Sequence, residues 1–323
     1  MNTRTIAALA ACLLLAPAAC SPGAAPAEPA APAIALEEAS GIVVRGDGKV
    51  AVIGGDETPD RLWGVSLDDF TKRWNLPFPP GSPQLHDIEA LAPWGKDGVL
   101  VVCSQSRTKP KEKIKIGRHR LALVTLSPDA RKIIDMRVYD GLRDYLLTHL
   151  RQTAAAEIEN LDALSLESPL NAGLNVEGLA VWKGELLVGL RSPGAKGGRA
   201  IVIPIRGPEK LFDPGAAGKA PDFGKPLFLP TVAGEGVRDM AATDDGVLVL
   251  LGAQTDAKDP PYRVVRWNPE TGRIAPVHVK GLRDVGKPEG IAPDPQGWLL
   301  VVQDLKSPGD KAVLFCLEMR DGP

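Results

Sequence analysis

The sequence predicts an all-β chain assembled from repeated four-stranded units, and three observations carry that expectation. Five segments share one order of features: a short acidic or small motif, a turn, an apolar run and a polar cluster. A further strand-like run follows each of them. Aromatic residues make up only 5% of the chain, so the core must rest on Val, Leu, Ile and Ala, a bias that suits short strands. Four short strands per unit, repeated along a chain, is the plan of a β-propeller.

The first unit reads Ala39-Ser40-Gly41-Ile42, a turn RGDGK, then VAVIGGDE; the second reads Ile88-Glu89-Ala90-Leu91-Ala92, PWGKDG, then VLVVCSQSR. The third is Val176-Glu177-Gly178-Leu179-Ala180, VWKGE and LLVGLRSP. The fourth is Arg238-Asp239-Met240-Ala241-Ala242, TDDG and VLVLLGAQTD, and the fifth is Pro288-Glu289-Gly290-Ile291-Ala292, PDPQG and WLLVVQDL. Turn residues between two apolar runs predict a β-hairpin in each unit. The third strands are RLWGVSL, RLALVTL, AIVIPI, YRVVRW and AVLFCLE, and weaker outer strands such as IAPVHV follow turn signals such as Asn268-Pro269-Glu270-Thr271-Gly272.

Five blades follow from five hairpins; six would follow if the poorly patterned segment 207–235 adds strands of its own. Between the second and third units lies the one strong helical stretch, Tyr139 to about Leu166 (139–166), where Leu142, Tyr145, Leu146, His149 and Leu150 recur at helical spacing. It reads as an insertion. The fifth unit lacks an outer strand, and Ala33 to Leu36 is placed to supply it and close the ring, which would remove an exposed sheet edge. A β-sandwich is the rival fold, but it gives no reason for one hairpin motif to recur.

Residues 1–20 read as an export signal, with Arg4 as its positive region, an apolar run from Ile6 to Leu15, and small residues leading to Cys20. The apolar run is shorter than the roughly 20 residues a spanning helix needs. Ala18-Ala19-Cys20 is similar to the lipobox of bacterial lipoproteins, which makes Cys20 the acylated residue, although Pro17 stands where Leu is usual. Ordinary signal cleavage near Ala19 is the alternative. Residues 21–35, SPGAAPAEPAAPAIA, are too rich in Ala and Pro to build a core and read as an extended tether. A single propeller domain then spans 36–318, with 319–323 as a tail. The expected location is the cell envelope, as a periplasmic or outer-membrane lipoprotein, or else as a soluble periplasmic or secreted protein.

The chain carries 38 basic and 40 acidic residues, which excludes the basic field of a nucleic-acid binder. A monomer is expected. Cys103 and Cys316 each lie in an apolar run and read as two separate buried thiols; no zinc-type spacing is present.

NVEGLAVWKGELLVGLRSP, together with HDIEALAPWG…CSQSR and KPEGIAPDPQGWLLVV, resembles the bacterial family known as domain of unknown function 3616. That family is itself similar to propellers called phytase-like or esterase-like. The likeness runs over roughly residues 36 to 318. It implies a secreted propeller and brings no settled activity.

In a propeller the innermost strand of each blade lines the central channel, so one position per repeat forms a ring. The repeat places Ser40, Glu89, Glu177, Asp239 and Glu289 there. Four convergent carboxylates need neutralising, by a bound cation or by retained protons. Oxygen donors from separate strands suit Ca²⁺, with Glu89, Glu177, Asp239 and Glu289 as its candidate ligands. The plainer role for such acids is to accept backbone amides and lock blades together. If Ca²⁺ holds the acids, Glu177→Gln and Glu289→Gln should lose most of the calcium stabilisation and melt near or above wild type without calcium; if the acids are structural, calcium does nothing and both substitutions destabilise.

A second ring follows the second strand of each hairpin. It holds Asp56 and Glu57, then Ser104, Gln105, Ser106 and Arg107, then Arg191, then Gln254 and Asp256, then Gln303 and Asp304. Asp56, Gln105, Arg191, Gln254 and Gln303 are the candidate ligand contacts. The planar fork of Arg191 suits a carboxylate or phosphate, with Glu177 as its competing partner. The basic stretch Arg107 to Arg120 reads as a solvated loop, or else as an anion-binding flap.

No GxSxG elbow, Walker loop, HExxH or GxGxxG is present. Of His86, His119, His149 and His278, only His86 lies near a ring position, and it reads as an exposed loop residue. Two function classes stay open. One is a binding module holding a small polar or anionic ligand, a cation or a protein partner over the acidic centre, and touching a membrane only through its lipid anchor. The other is a metal-dependent hydrolase of phosphate or carboxylate esters, with the carboxylates on the metal and Arg191 on the anion.

Overall fold

The computed structural model describes residues 38–108, 113–158, 161–162, 164, 173–255, 260–303 and 313–321. Within them the chain runs as successive antiparallel meanders. Blade 1 is β1 (Ala39–Val44), β2 (Val50–Gly55), β3 (Arg61–Ser66) and β4 (Arg73–Pro77), and blade 2 is β5 (Ile88–Trp94), β6 (Gly98–Cys103), β7 (Arg120–Leu126) and β8 (Ile133–Asp140). Blade 3 is β9 (Asn175–Trp182), β10 (Glu185–Ala195) and β11 (Arg199–Arg206), its outer strand split into β12 (Asp222–Phe223) and β13 (Leu227–Pro230), both paired with β11. Blade 4 is β14 (Glu235–Thr243), β15 (Gly246–Ala253), β16 (Arg263–Trp267) and β17 (Ile274–Val279), and blade 5 is β18 (Pro288–Pro293), β19 (Trp298–Gln303) and β20 (Val313–Asp321).

The innermost strands β1, β5, β9, β14 and β18 each touch the next, and β18 touches β1. Apolar clusters fill the contacts between consecutive blades, the last joining blade 5 to blade 1 through Ile42, Ile53, Leu300 and Val302. The molecule is a β-propeller. Its second strands are covered on both faces, as in the wholly buried β15, so they read in sequence as continuous apolar runs. The outer β4 alternates exposed and covered positions and reads weakly. Lys183 and Gly184, at φ 50° and 83°, make the two-residue turn between β9 and β10, whose left-handed residues match the strand twist.

Each inner hairpin carries a register shift near its start. The ladder steps from Ala39 to Gly41, from Ile88 to Ala90, from Val176 to Gly178, from Val237 to Asp239 and from Pro288 to Gly290. The residues passed over are Ser40, Glu89, Glu177, Arg238 and Glu289. A bulge of this kind re-aims the side chain of the extra residue, and here it does so at one place in each blade.

Several expectations change. The helix α1 spans Leu142–Thr153 and starts later than expected, because Tyr139 belongs to β8 and Gly141, at φ 86°, turns the chain between the two; Leu164 is helical too, and 159–160, 163 and 165–166 lie outside the described residues. Leu142, Leu146, Leu147 and Leu150 of α1 are buried between blades 2 and 3. Segment 207–235 forms no unit of its own; it supplies the two outer strands of blade 3 and leads into β14. Residues 319–321 are not a tail: Met319 to Asp321 pair with Val279 to Val277 and join the edges of blades 4 and 5. Cys103 is a buried free thiol, whereas Cys316 is half-exposed. Cys20, the tether and Ala33 to Leu36 lie outside the described residues. Among the described residues no helix is long and apolar enough to cross a membrane.

Candidate functional site

The inner strands begin at one end of the molecule, the upper face, and the ring residues sit near that end. Glu177 and Glu289 are buried on β9 and β18, as is Ser40 on β1, and Glu89 on β5 is half-buried. The fourth place in the register belongs to Arg238, not to Asp239. Arg238 is 1% exposed; its Nη1 lies 2.8 Å from Glu177 Oε2, and its Nη2 donates to Glu289 Oε2. Burial opposes its charge, but Glu177 and Glu289 outweigh that and raise its pKa. Lys287 Nζ, 2.8 Å away, caps the other oxygen of Glu289. Burial alone would raise the Glu289 carboxyl, yet Arg238 and Lys287 hold it below the usual range.

Asp239 stands one residue further on, where the other blades carry Gly41, Ala90, Gly178 and Gly290. That position faces the neighbouring inner strand: a Cβ on Gly290 would meet Ser40 O at 2.7 Å. The Asp239 side chain instead accepts the Ile291 amide at 2.7 Å across the blade boundary, while its Oδ1 is buried without a partner. Burial pushes its carboxyl well above the ordinary range. Asp239 therefore ties blade 4 to blade 5 through the Ile291 amide, one residue beyond the ring position that Arg238 occupies. Glu89 is the ring acid left over. Among the described residues it makes no hydrogen bond or ion pair. Burial, then repulsion from Glu177, Asp87, Asp56 and Glu289, pushes its pKa well up.

The second ring is mostly bracing. Arg191 Nη1 donates to Glu177 Oε1 at 2.8 Å, and its other nitrogens reach Ala253 O at 3.3 Å and Thr255 O at 2.7 Å, so the guanidinium ties blade 3 to blade 4. Gln254 bridges the same boundary, donating to Glu235 O and accepting from the Gly194 amide. Gln105 is buried and donates to Cys103 O and Arg120 O. Gln303, half-buried, packs against Gly286. Asp256 and Asp304 lie outside the described residues.

Asp56 belongs to a different setting. A pocket of about 280 Å³ opens between blades 1 and 2, lined by Asp56, Glu57, Pro59, His86, Asp87, Lys115 and Arg118. Carboxyl oxygens of Glu38, Asp56 and Glu57 lie within 4.8 Å of one another, the one such convergence of His, Cys, Asp and Glu among the described residues. Burial, with Asp87, Glu38 and Glu57 crowding around it, pushes the Asp56 carboxyl up to about 8. Arg118 Nη2 pairs with Asp87 at 2.6 Å and its Nη1 donates to Ser106 Oγ at 2.8 Å. His86 is half-buried in the same pocket, and burial followed by Lys115, Arg120 and Arg118 lowers its pKa.

Sequence reasoning left out Glu38, His86, Asp87, Lys115 and Arg118 as one site, since they are drawn together from three separate loops. Lys115 and Arg118 do come from the basic stretch 107–120, the one signal available. The other histidines lie elsewhere: His119 is buried and lowered to about 4 by burial and Arg143, and His149 stacks on Phe223.

Comparison with known proteins adds the following. The family described as "Protein of unknown function (DUF3616)" matches residues 145–281, from α1 to the loop after blade 4. No curated protein matches the chain. Among solved structures, a Myxococcus xanthus glutaminyl cyclase is similar over 90% of this chain and 94% of its own, at 11% identity and a TM-score of 0.47. The soluble aldose sugar dehydrogenase of Escherichia coli is similar over 88% of this chain and 97% of its own, at 13% identity and 0.46. A Xanthomonas campestris gluconolactonase is similar over 89% and 78%, at 10% identity and 0.38.

Proposed function

We propose that this chain is an exported, envelope-tethered propeller that binds a small polar ligand or a divalent cation in the pocket between blades 1 and 2. One observation carries the reading: the carboxyl oxygens of Glu38, Asp56 and Glu57 lie within 4.8 Å of one another, and Asp56 and Glu57 line a pocket that Lys115, Arg118 and His86 also line. In the ring, by contrast, Arg238 and Lys287 already balance Glu177 and Glu289. Hard oxygen donors suit Ca²⁺, and Glu38, Asp56 and Glu57 would hold it. The cation would replace the proton that Asp56 otherwise keeps.

A second reading has its own support. Lys115, Arg118 and His86 line the same pocket as Asp56 and Glu57. That mixture suits a metal-dependent ester hydrolase: carboxylates for a metal, Lys115 for an anionic group, His86 for a proton. Arg191, expected to clamp the anion, is instead buried against Glu177.

The test is metal-by-metal thermal melting of the purified protein, followed by a phosphatase and esterase screen with and without the stabilising metal. Stabilisation without turnover supports the binding module; turnover that Asp56→Asn and His86→Ala abolish supports the hydrolase. No stabilisation by any divalent cation, with no turnover, rejects the cation site and the hydrolase.

A further inference from the structure

Four large apolar side chains are more than half exposed among the described residues, and three of them, Ile114, Ile116 and Val232, lie in loops on the upper face. Ile114 and Ile116 are 60% and 65% exposed and alternate with the exposed Lys113 and Lys115. The stretch 107–120 holds seven Lys and Arg against one Glu, in a chain whose totals of 38 and 40 nearly cancel. Arg118 and Arg120 are engaged by Asp87 and Asp140, which leaves the lysines flanking the isoleucines as the outward charge. The tether leaves the propeller on this same face, because Glu38 hydrogen-bonds Asp56 beside the pocket that Lys115 lines.

We propose that the upper face is a docking surface for an anionic lipid bilayer, with Ile114 and Ile116 entering the headgroup boundary and Lys113 and Lys115 meeting the acidic headgroups. Loop-tip aliphatics between lysines suit a fluid, negatively charged surface, where each side chain finds its own depth. Residues 21–37 are all that lies between the predicted anchor at Cys20 and the first described residue, Glu38. A chain held at Cys20 would thus have this face within reach of the bilayer. Lys115 also lines the pocket, but the readout here is lipid partition and not ligand stabilisation, so a failure of this proposal is told apart from a failure of the pocket reading.

The experiment is flotation of the chain 21–323, which keeps every described residue and lacks both the apolar signal and Cys20. Vesicles of phosphatidylglycerol and phosphatidylcholine in equal parts are compared with phosphatidylcholine alone, at low and at physiological salt. Binding to the anionic vesicles only is expected. Lys113→Gln with Lys115→Gln should weaken it about thirtyfold, since each basic residue near an anionic surface contributes roughly fivefold. Ile114→Ser with Ile116→Ser should also weaken it, and should leave a remainder that salt abolishes. All four positions are exposed, so melting temperatures should not change. Failure of the wild-type chain to float with anionic vesicles, equal flotation with neutral ones, or variants that float as wild type would each overturn the proposal and leave the strip to a protein partner.

Discussion

At the centre of the molecule Arg238 lies between Glu177 and Glu289, while Glu89 faces Glu177 with no cation of its own. The two kinds of acid should respond oppositely to neutralisation. Glu177→Gln takes from the buried Arg191 and Arg238 the carboxylate they share, and breaking such a buried pair costs roughly 3–5 kcal/mol. Glu89→Gln removes a carboxyl that burial and its neighbours already disfavour as an anion, so it should melt at or above wild type at neutral pH. Chemical denaturation of both variants checks this; similar losses in the two would contradict the pairing. Destabilisation of Glu177→Gln is the outcome expected of a structural acid, and the pairs with Arg191 and Arg238 are the reason.

Asp56 gives a pH signature at the same scale. Its folded pKa of about 8 lies above the ordinary aspartate value of 3.8, so between the two the folded state holds a proton that the unfolded chain has released. Stability from this group is present below the unfolded pKa and is lost as pH rises through the folded one. Asp56→Asn should therefore match wild type near about pH 4 and gain on it progressively to about pH 8, then level off. Melting temperatures across that range measure it. A constant difference at all pH values would mean that Asp56 titrates normally.

At the scale of the elements, the bulge in each inner hairpin is what turns a repeated sequence into a ring of side chains. The hairpins themselves are legible because their buried runs, such as VLVLLGA of β15, are apolar throughout. The register in blade 4 was not, because the acid of RDMAA invites alignment with the acids of the other units. The better guide is the large apolar residue two places on: Ile42, Leu91, Leu179, Met240 and Ile291 all line one cavity of about 90 Å³ in the lower channel. Aligning Met240 with the others puts Arg238 on the ring and Asp239 at the small-residue position. The outer strands β12 and β13 were hidden because each is short and only partly covered.

The small-residue position is tight. A Cβ on Gly178 would come within 2.5 Å of Val237 Cγ1 and 3.1 Å of Met240 Cγ on the next blade. Gly178→Ala should therefore destabilise by about 1–3 kcal/mol through overpacking. Ala at Gly184, where nothing crowds the Cβ, would be strained only by its φ of 83°. Denaturant midpoints compare the two, and a harmless Gly178→Ala would mean that the blades stand further apart.

At the scale of the whole molecule, the two ends of the channel differ. The lower half is lined by apolar residues of all five inner strands, and the upper end carries the ion network, the pocket and the basic strip. Loops drawn from different blades converge on that upper face, which is where a rigid scaffold places function. Sequence repetition exposes the scaffold, but the pocket is assembled from residues outside the repeat, Glu38, His86 and Lys115 among them, so no periodicity announces it. The most direct measurement is a calcium titration followed by thermal melting of wild type, Asp56→Asn and Glu289→Gln. Calcium should raise the wild-type melting temperature by mass action. The rise should vanish in Asp56→Asn and persist in Glu289→Gln from its lower baseline. A rise that Glu289→Gln abolishes and Asp56→Asn leaves intact would place the cation in the central ring and contradict the pocket.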